Sequence, residues 1–144
     1  WCGEDINRLG PDYHEHTAYV GHRDGIKQDL TPLENLLMAR ALGVPGPVTA
    51  QEALEQVDLY GFEDIPTRNL SAGQQRRLAL ARLLVTSARL WILDEPFTSL
   101  DVHGIRVIEG LMESHTARGG MLAMTSHHTV NLNDTTVERI NLSA

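Results

Sequence analysis

Leu70-Ser71-Ala72-Gly73-Gln74-Gln75-Arg76-Arg77, then Leu90-Trp91-Ile92-Leu93-Asp94-Glu95-Pro96, then Thr98-Ser99-Leu100-Asp101, follow one another within residues 70–101. The first run combines a serine cap with a glutamine three residues on, which opens a helix. The second is a short apolar strand ending in two acids. The third is a turn carrying another acid. That order suits a site that grips a nucleoside triphosphate from two sides and hydrolyses it. No Gly-rich loop ending in Gly-Lys-Ser/Thr occurs in residues 1–144, so half of such a phosphate site is missing from the sequence.

The 144 residues are one domain's worth, and 42% hydrophobic content is enough for a core. A net charge of −7 argues against nucleic acid as a partner, because such binding needs concentrated Lys and Arg. Arg76, Arg77 and Arg82 are too few to suggest a basic patch. The one cysteine, Cys2, excludes an internal disulfide and fits a reducing compartment. No apolar run approaches the roughly 18–20 residues that span a bilayer.

Outward from the opening stretch, residues 18–20 read as a short strand stopped by Gly21-His22, and 23–30 as a polar loop. Thr31-Pro32-Leu33-Glu34 and Thr49-Ala50-Gln51-Glu52 are two further capping boxes. They predict one helix ended by Gly43 and a second ending near Gly61. The apolar runs 90–93 and 121–125 predict strands covered on both faces. Asp101 caps a helix with the stripe Ile105, Ile108, Met112 and His115. Residues 137–142 alternate in polarity as an edge strand would.

Parallel sheets bind ligands at the carboxyl ends of their strands, so Asp94 and Glu95 belong at the mouth of a site. Asp94 suits orienting Mg²⁺, and Glu95 suits polarising the water that attacks a γ-phosphate. Ser71, Ala72, Gly73 and Gln74 start a helix whose free N–H groups and positive end attract phosphate oxygens, with Gly73 letting backbone approach ligand. Taken singly, an Asp-Glu strand end is often merely solvated and Ser-x-Gly-Gln merely a cap. Their spacing shifts both toward phosphate chemistry. His127 follows residues 121–126 at another strand's end, where it can serve the γ-phosphate or be structural, and the adjacent His128 leaves that choice open. His22 stands in a similar place. His14-x-His16 lacks a clear third metal ligand, while His103 reads as a surface residue and His115 as a helix-face one.

Nearly the whole chain resembles the ATP-binding cassette (ABC) ATPases. Residues 70–74 are similar to that family's signature motif, 90–95 to its second Walker motif, Ser99-Leu100-Asp101 to its D-loop and His127 to its switch histidine. The resemblance implies an α/β fold, a RecA-like P-loop NTPase core, incomplete here, at 1–31 and 86–144, with an inserted α-helical subdomain at 32–85. It implies a homodimer in which Ser71, Ala72, Gly73, Gln74, Asp101 and His22 bind ATP, Asp94 binds Mg²⁺, and Glu95 and His127 are catalytic. Each signature motif would close on ATP held by the phosphate loop of the second ATPase subunit.

Tyr19-Val20-Gly21-His22-Arg23-Asp24-Gly25-Ile26-Lys27, with Leu30-Thr31-Pro32-Leu33-Glu34-Asn35-Leu36, resembles the haem-exporter branch, the ATPases of bacterial cytochrome c maturation. In most cassettes the His22 position is a glutamine that senses Mg²⁺ and water. This likeness implies transmembrane permease subunits as partners and a peripheral place on the cytoplasmic face of the bacterial inner membrane. Two departures stand out. Ala72 replaces the commoner glycine, and the phosphate loop is absent. The expectation is a chain cut at its N-terminus, inactive alone and an ATPase when complete. The alternatives are a soluble cassette ATPase of translation or DNA repair, and a non-hydrolysing remnant.

Overall fold

The computed structural model describes residues 1–127 with Val130, Leu132, Val137, Glu138 and Ile140, and for Pro11 and Asp12 the backbone only. Two short helices, α1 (Ile6–Leu9) and α2 (Pro11–Glu15), lead into strand β1 (Thr17–Val20). After a loop come α3 (Pro32–Leu42), α4 (Ala50–Gln56), a single 3₁₀ turn at Thr67–Asn69 and α5 (Ala72–Ala81). Strand β2 (Leu90–Asp94), helix α6 (Val102–Ala117) and strand β3 (Met121–Thr125) complete the described elements. The sheet is parallel, in the order β1-β2-β3.

The three capping boxes form as the sequence predicts. Thr31, Thr49 and Ser71 each accept from the backbone N–H three residues on, and Glu34, Glu52 and Gln74 reach back to the cap N–H. Such exchanges satisfy donors that the first helical turn leaves free. Asp101 caps α6 through Gly104 N–H at 2.7 Å.

Helix α4 stops at Gln56, short of the expected end near Gly61. Asp58 takes a positive φ of 53°, Asp58 N–H bonds to Glu55 O and Leu59 N–H to Leu54 O. That is a Schellman closure with aspartate in glycine's usual place. It turns Val57 and Leu59 fully into the core, a stronger pull than continuing the helix.

Among the described residues, the strands are covered on one face, not on both as the apolar runs predict. Trp91 and Leu93 are buried and line a small cavity with Leu80, Leu83, Ile108 and Met112, beneath α5 and α6. The opposite rows, Tyr19-Ile92-Ala123 and Thr17-Leu90-Met121, are partly open, with Tyr19 65% exposed and Met121 44%. Helices pack on one face only among the described residues, so burial alternates along β2 and β3. Of the edge strand expected at 137–142, residues 139, 141 and 142 lie outside those described.

Candidate functional site

The carboxyl ends of the three strands gather the chemistry. Val20 is in register with Leu93, and Asp94 with Thr125. Gly21-His22, Glu95-Pro96 and Ser126-His127 therefore leave the sheet side by side. Thr125 binds both acids: its hydroxyl donates to Asp94 Oδ1 at 2.7 Å and accepts from Glu95 N–H at 3.2 Å. The Glu95 N–H also lies 3.2 Å from the Thr125 carbonyl. The other Asp94 oxygen takes no part in the Thr125 contact.

Glu95 and His127 meet. The Glu95 Oε2 accepts from the His127 N–H at 3.4 Å, and Oε1 lies 3.5 Å from His127 Nε2. The carboxylate is 24% exposed and the imidazole 95%. A half-sheltered acid beside a solvent-facing imidazole is disposed to hold a water between them and a substrate. His22 is exposed at the end of β1, on the same rim.

Glu95 sits at φ 48°, the left-handed region, which costs a residue with a side chain about 1–2 kcal/mol. Arg76 lies against that turn. Its side chain is 3% exposed and its donors reach Pro96 O at 3.2 Å, Asp94 O at 2.9 Å, Glu95 O at 2.8 Å, Gly21 O at 2.8 Å and the Asp24 carboxylate at 2.9 Å. Arg82, at the end of α5, donates to the carbonyls of Asp24 and Gly25. Burial pushes the Arg82 guanidinium below its ordinary value, but an arginine stays charged in proteins. Asn35, fully buried, binds Lys27 N–H and O, Thr31 O and the Thr67 hydroxyl. The loop after β1 is thus sewn both to the acid-bearing turn and to α3.

Ser71, Ala72, Gly73 and Gln74 form a separate face. Ser71 and Ala72 are exposed at the start of α5, and Ser71 Oγ and Gln74 Oε1 bond each other's backbone N–H. The sequence suggests that Gly73 lets ligand come close. The structure gives it a nearer neighbour: a Cβ there would stand 2.9 Å from the Ser99 carbonyl. The Ser71 helix start and the turn leading to Asp101 therefore pack together within one chain.

Hard oxygen donors suit Mg²⁺, which keeps several waters and takes phosphate oxygens in place of further side chains. Asp94 with its Thr125 partner fits that pattern, and no cluster of three or more His, Cys, Asp or Glu able to hold a metal occurs among the described residues. The ring of His16 instead stacks near Trp1, centroids 6.1 Å apart. His103 is a surface residue as expected, 2.6 Å from Asp58 Oδ2, and His115 is buried on α6.

Three site residues escaped the sequence. Thr125 was detectable, since aligning the two strand ends puts it opposite Asp94. Arg76 and Asn35 carry no local signal, because their partners lie up to 55 and 32 residues away. Arg76, Arg77 and Arg82 are not a surface patch; each donates to backbone carbonyls of the chain itself.

Among known proteins, the cytochrome c biogenesis ATP-binding export protein CcmA of Nitrosococcus oceani is 53% identical over 132 residues, covering 92% of this chain and 61% of that protein. The proteins of the same name from Nitrosomonas europaea and Escherichia coli are 48% and 47% identical, each covering 99% of this chain and 68% of their own length. The chain thus spans roughly three-fifths to two-thirds of these relatives. Two dimeric structures of the ATP-binding cassette MJ0796, one post-hydrolysis and bound to ADP and Pi, superpose with TM-scores of 0.73 and 0.69 at 24% and 23% identity. They cover 88% and 87% of this chain and 58% of each cassette, and at such identity they speak for the fold alone. The ABC transporter family profile matches residues 1–98. With that match and these relatives, the chain belongs to the ABC transporter family.

Proposed function

We propose that this chain is the greater part of an ATP-hydrolysing, energy-coupling subunit of an ABC exporter serving cytochrome c biogenesis, with haem as the cargo. The observation that carries the chemistry is the meeting of Glu95 and His127 at the strand ends, 3.5 Å apart beside Asp94. Membership of the family and the names of the similar proteins support the setting.

In this reading Asp94 holds Mg²⁺ through water or directly, its orientation fixed by the Thr125 hydroxyl. Mg²⁺, when bound, neutralises charge on the phosphates. Glu95 accepts a proton from the attacking water, and His127 orients that water and the γ-phosphate. His22 faces the same phosphate from the neighbouring strand. Ser71, Ala72, Gly73 and Gln74 offer a helix start to ATP held by a second copy, and Asp101 shapes the adjoining turn. The homodimer needs a phosphate loop that residues 1–144 do not carry.

Residues 32–85, which hold α3, α4 and α5, act as the helical signature subdomain, and 1–31 with 86–144 as parts of the nucleotide-binding core. The surface at 23–37 receives transmembrane permease subunits at the cytoplasmic face of the bacterial inner membrane. No helix among the described residues is long and apolar enough to cross a membrane itself. The test is affinity isolation of the complete protein from solubilised membranes. Recovery of a multi-spanning membrane partner with ATPase activity is expected; recovery with ribosomes or DNA instead would overturn the transport role.

A further inference from the structure

A guanidinium has five N–H donors in a rigid fork, and Arg76 uses them on five different acceptors. Three are the successive carbonyls of Asp94, Glu95 and Pro96. Along a regular strand neighbouring carbonyls point to opposite sides, so three in a row can converge on one group only where the chain turns. Here it turns at Glu95, with its positive φ. The remaining acceptors, the Gly21 carbonyl and the Asp24 carboxylate, come from the loop after β1. Among the described residues, Asp24 carries the only carboxylate paired with the buried charge. A single side chain on α5 thus fastens the acid-bearing turn to the loop after β1, far earlier in the chain.

We propose that Arg76 is a positioning residue for Glu95. It holds the left-handed turn that aims the Glu95 carboxylate, and through Asp24 it makes that aim depend on the loop after β1. If the loop shifts, Gly21 and Asp24 withdraw from one side of the guanidinium. The three carbonyls of the turn then lose a partner fixed from both sides. Arg82 and Asn35, which grip the same loop at Asp24, Gly25 and Lys27, set how far it can move without breaking this link.

The proposal rests on Glu95 acting as general base, and its test separates the two. In the complete protein, Asp24→Asn and Arg76→Lys are compared with Glu95→Gln by two readouts. One is ATP turnover, resolved into kcat and KM; the other is amide hydrogen exchange across residues 94–97. Asn keeps an acceptor at position 24 but not its charge. Lys keeps the charge at position 76 but not the fork. Asp24→Asn should lower kcat about 3- to 10-fold with KM for ATP within about twofold, the pattern of a lost transition-state interaction. Arg76→Lys should lower kcat by roughly 10- to 100-fold, the range for a misplaced catalytic group. Both should speed exchange across 94–97.

Unchanged exchange in both variants, or a rise in KM matching the fall in kcat, overturns the positioning role. Should Arg76→Lys fail to fold, Asp24→Asn decides on its own. Near-normal turnover by Glu95→Gln removes the general base and leaves exchange to judge whether Arg76 holds the turn.

Discussion

Gly73 lies against the main-chain carbonyl of Ser99, where an added Cβ would stand 2.9 Å from the oxygen. The obstacle is backbone, so Gly73→Ala must displace either the start of α5 or the Ser99 turn. Overpacking of this kind costs about 1–3 kcal/mol, and turnover of the complete protein should fall with it. Gly110 provides the contrast. It sits inside α6, and a methyl added there would meet nothing within 4 Å, so Gly110→Ala should stabilise by roughly 0.5–1 kcal/mol. Urea unfolding midpoints moving in opposite directions would support this; equal effects would show that the Ser99 contact gives way at no cost.

His115 should make the fold sensitive to mild acid. Its ring stacks on Trp91 with centroids 3.8 Å apart, and Gly120 closes over it. Burial holds its pKa below the ordinary 6.5, with the Arg118 charge acting the same way. Below about pH 6.5 the unfolded chain takes up a proton that the folded chain refuses, so stability is full above that pH and falls as pH drops. His115→Phe keeps the stack without the titration. Its melting temperature should decline less than the wild type's between pH 7 and pH 5, and parallel declines would exclude His115.

Asn35 should behave as a structural keystone of the loop after β1. Asn35→Ala leaves Lys27 and Thr67 partners unmatched in a buried place, which costs on the order of 1–3 kcal/mol. Exchange of amides in 24–30 should rise with it. Protection unchanged there would mean that Arg76 and Arg82 suffice to hold the loop.

How much of this was legible follows from range. Thr31, Thr49 and Ser71 announced their helices because a capping box is complete within four residues. The strand ends at Asp94 and Thr125 were visible from apolar runs bounded by polar residues. The end of α4 was not, because Asp58 rather than glycine takes the left-handed position, and Arg77 reaches across to bind Val57 O and Asp58 O. That the described residues cover only one sheet face was also hidden, since an apolar run such as Leu90-Trp91-Ile92-Leu93 looks the same whether one face or two are covered. Arg76 was least legible. Its charge was countable, but its burial depends on carbonyls brought together only by the fold.

The most direct measurement is ATP turnover by Glu95→Gln in the complete protein, with nucleotide binding and dimer formation followed in the same samples. Turnover should fall roughly 10²- to 10⁴-fold, the contribution of a positioned general base, while ATP still binds and the dimer accumulates. Near-normal turnover with ATP bound would contradict the assignment of Glu95 as the base and, with it, the account of the strand-end site.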